Sequence, residues 1–301
     1  MKKFIALIMT ISLFSFILSG CSMDSGIENN DSKGDKTIGL SISTLNNPFF
    51  VSVRDGVKNA AEKEGIALNI ADAQNDSAKQ INDIDDLIQR GVSILIINPV
   101  DSAAISSAVE AANSANIPVI TLDRSADSGK VEALVASDNI KGGEMAAEYI
   151  INALGENAKV AELEGIPGAS ATRERGEGFH KLADEKLDIV AKQAADFDRT
   201  KGLTVAENIL QGHSDVQAIF AQNDEMALGA VEAAQAAGKD IIIVGFDGNE
   251  DGMKAVKDGR MAATIAQQPE LMGELSVKTA VKVLNGDKVD EKVPVELKLV
   301  E

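Results

Sequence analysis

Residues 93–123 read "SILIINPVDSAAISSAVEAANSANIPVITLD". A short β-branched run (93–99) leads into an alanine-rich segment (102–115), and a second β-branched run (118–123) follows. Short apolar runs closed by Asn, Pro or Asp read as buried strands, and the segment between them as a helix. Strand, helix and strand in about 30 residues make a βαβ unit, whose strands lie parallel beneath a covering helix.

The same rhythm extends outward in both directions. Upstream, strands at 37–43 and 67–73 alternate with helices at 48–64 and 77–90, and a fifth strand follows at 132–137. After a helix at 140–153 the pattern restarts. Strands at 158–163, 187–193, 216–221, 240–246 and 262–267 alternate with helices at 170–185, 200–212, 224–237 and 249–258. Two arrays of similar length predict an α/β chain of two similar doubly wound parallel-sheet domains. A last helix (269–285) and one last strand (293–300) belong to neither array by order and can return to complete both.

A length of 301 residues at 45% hydrophobic is enough for two such cores. Residues 1–20, "MKKFIALIMTISLFSFILSG", lie outside them: a basic start, a short apolar run and small residues make a secretory signal rather than a spanning helix. Cys21 follows as the only cysteine, so no internal disulfide can form. "LSGC" resembles a bacterial lipoprotein signal, which implies lipid on Cys21 and a chain anchored without a spanning helix. Polar, unpatterned residues 21–36 read as a flexible tether with a span of roughly 20 Å. Loss of Lys2 and Lys3 with the signal takes the net charge from −18 to −20. A body this acidic repels phosphate backbones, which excludes nucleic acid as a partner.

In open parallel sheets, ligands bind beyond the carboxyl ends of the strands. Those ends carry Asn46, Asn47, Phe49 and Phe50, then Asn98, then Asp123 and Arg124. In the second array they carry Asp196 and Phe197, Gln222 to Asp224, Phe246 and Asp247, and Gln267 and Gln268. Only six phenylalanines lie outside the signal, and four of them stand here beside Asn or Asp. Flat rings cover the C–H faces of a sugar, while Asn, Gln, Asp and Arg offer paired groups to its hydroxyls. No metal and no cofactor is needed for that. Blander readings stand beside each residue: Phe49 and Phe50 as core, Asp123 and Arg124 as a surface ion pair. Arg173 and Arg175, two apart on one helix, face different ways, so at most one enters a cleft. His180 and His213 lie far apart without a thiol partner, and no phosphate-binding loop or Gly-x-Ser-x-Gly elbow occurs.

The motifs "STLNNPFF", "INPVDS", "IPVITLDR", "ASDN", "RERGEGF", "ADFDR", "IFAQNDEMALGA", "VGFDG" and "AATIAQ" occur in that order. Over residues 37–300 the chain closely resembles the bacterial periplasmic ribose-binding proteins, type I solute-binding proteins of ABC importers. The resemblance implies a monomeric receptor, not an enzyme, that captures D-ribose between its domains and delivers it to a membrane permease. Implied sugar contacts are Asn47, Phe49, Phe50, Asn98, Asp123 and Arg124 from the first domain. From the second they are Arg175, Phe197, Asn223, Phe246, Asp247 and Gln267. It also implies three hinge crossings, near 137–138, 267–268 and 294–296. The domains would be 37–137 with 268–295, and 138–267 with 296–301. The lipid signal departs from soluble periplasmic members and points to the outer face of the cytoplasmic membrane of a Gram-positive cell. Rival readings are a sugar-sensing repressor, whose DNA-binding helices this chain replaces with a signal and tether, and a glycoside-processing enzyme, which needs a carboxylate pair astride the bond. Within the binding class the rivals are another pentose, a hexose or a sugar-like signal molecule.

Overall fold

A computed structural model describes residues 36–301. The signal of residues 1–20, Cys21 and the tether up to residue 35 lie outside the described residues. The first array comprises β1 (Thr37–Ile42), α1 (Pro48–Glu64), β2 (Ala67–Asp72), α2 (Ser77–Gln89), β3 (Ile94–Ile97), α3 (Ser106–Ser114), β4 (Val119–Leu122) and β5 (Ala133–Ser137). The second comprises α4 (Asn139–Leu154), β6 (Lys159–Glu164), α5 (Ser170–Lys186), β7 (Asp188–Ala194), α6 (Arg199–Gly212), β8 (Ala218–Ala221), α7 (Asp224–Ala236), β9 (Ile242–Asp247), α8 (Glu250–Lys257) and β10 (Ala263–Ala266). The chain ends with α9 (Pro269–Leu284), β11 (Lys292–Val295) and β12 (Lys298–Val300).

Two six-stranded sheets result, ordered β11-β5-β4-β3-β1-β2 and β12-β10-β9-β8-β6-β7. Every pairing is parallel except that of β12 with β10. The strand order reverses beside β1 and beside β6, which opens a crevice at the carboxyl edge of each sheet. Alternation across the pleat fills both faces. Ile94 and Ile96 join one apolar cluster while Leu95 and Ile97 join another. In the second sheet Ile219 and Ala221 part from Ala218 and Phe220 in the same way. These strands are therefore apolar throughout, as a sheet covered on both faces requires.

Two elements differ from the sequence reading. The run 293–300 is not one strand: β11 pairs with β5 in the first sheet and β12 with β10 in the second, with Glu296 and Leu297 crossing between them. Helix α3 starts at Ser106, not 102. The backbone N–H of Ser102 donates to Gly168 O of the second lobe at 2.9 Å, and its carbonyl accepts from Asp127 N at 2.8 Å. The second bond takes the carbonyl that a longer helix would have paired with the N–H four residues on, and the first gives a partner to an N–H that no helix start could satisfy.

The candidate cleft between the lobes

Local chemistry sets each strand-end loop. Asn47 caps α1 by accepting from Phe49 N at 2.9 Å, and Pro48 fits the first turn. Asn223 caps α7 through Met226 N and donates its amide to Phe197 O at 3.3 Å. Asp123, Asp196, Phe197 and Asp247 all adopt positive φ. Non-glycine residues held in this sparsely populated region are a mark of sites whose surroundings over-determine them.

From the first lobe, Asp123 and Arg124 are 3% and 2% exposed, which rules out a surface ion pair. Arg124 Nε lies 3.5 Å from Asp123 Oδ2, and one Nη donates to Pro99 O at 3.0 Å. Asn98 sits behind them and donates to Leu122 O and, at 3.4 Å, to Asp123 Oδ2. Phe49 and Phe50 meet edge to face at 5.2 Å. Both belong to the first-lobe core, and the Phe50 ring also lies 5.0 Å from the Arg124 guanidinium.

From the second lobe, Arg175 is buried on α5. Its Nε donates to Asn139 Oδ1 at 2.9 Å and an Nη donates to Gln222 O at 2.6 Å. That same Nη is 3.7 Å from Asp247 Oδ1, which also accepts from Gln267 Nε2 at 2.9 Å. The guanidinium lies 3.8 Å above the Phe246 ring. Arg173 points away: it is exposed and bonded to Gly168 O and Asp127.

The lobes meet around these groups. The Phe197 ring of the second lobe lies 5.3 Å from Arg124 of the first and 5.8 Å from Arg175 of its own. Ser170 bonds both Ser102 and Ser125, and Arg173 reaches Asp127 at 2.8 Å, so the two rims touch. A cavity of about 120 Å³ remains, lined by Asn47, Phe50 and Arg124 on one side and Phe197, Arg199 and Glu225 on the other.

Burial dominates the electrostatics. It pushes the Asp123 carboxyl up, against the pull of Arg124, Arg175 and the Asn98 hydrogen bond. It pushes Asp247 up further, opposed chiefly by Arg175. Burial also lowers Arg124 to about 10. Three buried polar atoms at the centre have no hydrogen-bond partner: Asp123 Oδ1, Arg124 Nε and Gln267 Oε1. Asn139 and Glu174 were not among the residues expected to shape the site, and Gln222, expected there as a strand-end residue, takes part through its backbone carbonyl. Asn139 stands just past β5, so the strand-end rule would have reached it had it been extended to that strand.

Two lobes of this topology, facing each other across a polar strand-end cleft, define a type I solute-binding fold. Residues 38–288 match the periplasmic binding protein domain. The chain is 59% identical to the ribose import binding protein RbsB of Bacillus subtilis (strain 168) over 303 residues, covering 99% of each chain. It is 54% identical to the ribose import binding protein RbsB of Escherichia coli (strain K12), over 97% of this chain and 99% of that one. The Caulobacter myo-inositol binding protein, solved with myo-inositol bound, superposes with a TM-score of 0.85 at 31% identity, over 88% and 93% of the two chains. The chain belongs to the periplasmic binding protein family, in the branch that holds the ribose import binding proteins. It is a family of transporter binding proteins, not of enzymes.

Proposed function

We propose that this chain captures D-ribose in the cleft between its lobes and hands it to the membrane subunits of an ABC importer. The observation that carries the reading is the set of three unpartnered buried atoms. Arg124 Nε can only donate, while Gln267 Oε1 and an ionised Asp123 Oδ1 can only accept. A sugar hydroxyl does both, so one compact polyol can satisfy all three. Leaving buried groups unmet costs about 1–3 kcal/mol each, so a ligand that meets them gains both affinity and selectivity. Phe50 and Phe197 supply ring faces for its C–H surface, while Phe246 backs the Arg175 guanidinium from beneath. The names of the near relatives favour ribose among such polyols. The twelve contacts expected from the sequence are assigned this role together. The lobes are assigned as 37–137 with 268–295, and 138–267 with 296–301.

Calorimetry of the mature chain against D-ribose, D-allose, other pentoses and myo-inositol tests the reading. D-ribose should bind tightest, and a tenfold preference for another sugar overturns the assignment. The receptor is a monomer held on the outer face of the cytoplasmic membrane of a Gram-positive cell by lipid on Cys21. The support is "LSGC" after an apolar run. Cys21→Ala should be released or left unprocessed, and a variant that stays on the membrane at mature size contradicts the anchor.

A further inference from the structure

Arg175 is held at two points, and one of them is a side chain to which the sugar reading assigns no role. Its Nε donates to Asn139 Oδ1 at 2.9 Å, and the Asn139 amide donates onward to Glu174 Oε2 at 3.0 Å. Asn139 opens α4 directly after the first crossing between the lobes, and Glu174 and Arg175 are neighbours on α5. The two helices pack at backbone contact. A Cβ at Gly178 would lie 1.9 Å from Ile140 O, and one at Gly143 would lie 2.1 Å from Arg175 O. That closeness is what lets so short a side chain as Asn139 bridge them.

An asparagine amide has nearly the same shape either way round, so its partners fix its orientation. Arg175 Nε can only donate, and an ionised carboxylate can only accept. One orientation satisfies both. The other sets N–H against N–H and oxygen against oxygen. Asn139 and Arg175 are 2% and 3% exposed, so bulk water offers no ready substitute. Glu174 therefore aims the amide oxygen, and the amide oxygen stops the guanidinium turning about its bond to Gln222 O.

We propose that Asn139, oriented by Glu174, is a positioning residue for Arg175 and so helps set the affinity of the cleft. The inference rests on the sugar-binding reading above. It is tested by calorimetry with D-ribose on the mature chain, with ligand-free melts to verify folding. Asn139→Ala should weaken binding about tenfold. In an Arg175→Ala background the same change should alter binding less than about twofold, because the group it positions is gone. Asn139→Asp should weaken binding by setting two carboxylates against each other. Asn139→Asp with Glu174→Gln should restore it to within about threefold, since the amide and carboxylate have exchanged places and the relay is rebuilt. A purely structural role predicts neither the lost effect nor the rescue. Unchanged affinity in Asn139→Ala, or additive losses with Arg175→Ala, overturns the inference while leaving the ribose reading intact. Wild-type protein that binds no sugar overturns both.

Discussion

Each lobe brings one buried arginine to the cleft, Arg124 from the loop after β4 and Arg175 from within α5, and the two are prepared differently. Arg175 has its Nε and an Nη tied to Asn139 and Gln222, and its plane lies flat on Phe246. Arg124 has one Nη on Pro99 O, and its Nε has no hydrogen-bond partner. The neighbouring acids differ in the same sense: Asp247 Oδ1 accepts from Gln267, whereas Asp123 Oδ1 accepts from nothing. The second lobe presents its arginine already tied, with Gln267 Oε1 left open, and the first presents two open valences on its arginine and acid, Arg124 Nε and Asp123 Oδ1. Preorganisation on one side lowers the ordering cost of binding, while unmet groups on the other side reward the right ligand and penalise the wrong one.

The sharpest way to break this contrast is to remove what both arginines share. A Cβ at Gly165 would lie 2.0 Å from the Phe197 ring, which packs toward both guanidinium groups. Gly165→Ala should push the ring into the ligand's space and weaken ribose binding about a hundredfold or more, read by calorimetry. Next come the arginines themselves. Either one changed to Ala should weaken binding roughly tenfold to over a hundredfold. Only Arg175→Ala orphans two protein acceptors, so it should also lower the ligand-free melting temperature more than Arg124→Ala does. Equal losses of stability would erase the distinction between the lobes.

A smaller effect is expected from pH. Asp123 and Asp247 are both raised by burial. Their protonated forms are favoured in the ligand-free fold, so their contribution to its stability is present at low pH and is lost as pH rises through their raised values. Ribose binding runs the other way, because ionised carboxylates are the better acceptors. Affinity should fall on acidification below neutral, and Asp123→Asn should flatten that dependence. Parallel trends in melting temperature and affinity would contradict the account. The smallest change is Arg173→Ala, which breaks a half-exposed ion pair with Asp127. Such pairs contribute about 0–1 kcal/mol, so affinity should drop less than about fivefold. A loss as large as that of Arg175→Ala would move the binding surface outward.

Most of this arrangement was legible in the chain. Strand ends in a parallel array must meet at one edge, so Asn98, Asp123, Asn223 and Asp247 could be placed together from periodicity alone. The choice between Arg173 and Arg175 could be narrowed by helix geometry but not made, because it depends on the side against which α5 packs. Periodicity did not show the break at Glu296 and Leu297, although the family resemblance placed a crossing near 294–296. Both halves of 293–300 have strand character, and which sheet receives each half depends on partners more than 30 residues away, β5 for β11 and β10 for β12. Pro294 was a partial clue, since proline within a sheet belongs on an edge strand, and β11 is one. The start of α3 was set by tertiary bonds of Ser102, one across the cleft to Gly168 and one from Asp127 of the same lobe, which no local pattern carries.

The division of the last strand also has a mechanical consequence. The lobes are joined by three separate stretches of backbone, at Asp138, at Gln267 and Gln268, and at Glu296 and Leu297. A single tether would let one lobe swivel about any axis. Three tethers side by side resist twist and shear, and leave bending about one line as the soft motion. A joint of this kind has in effect a single degree of freedom, so a closure about it would return Arg124 and Arg175 to the same registration every time.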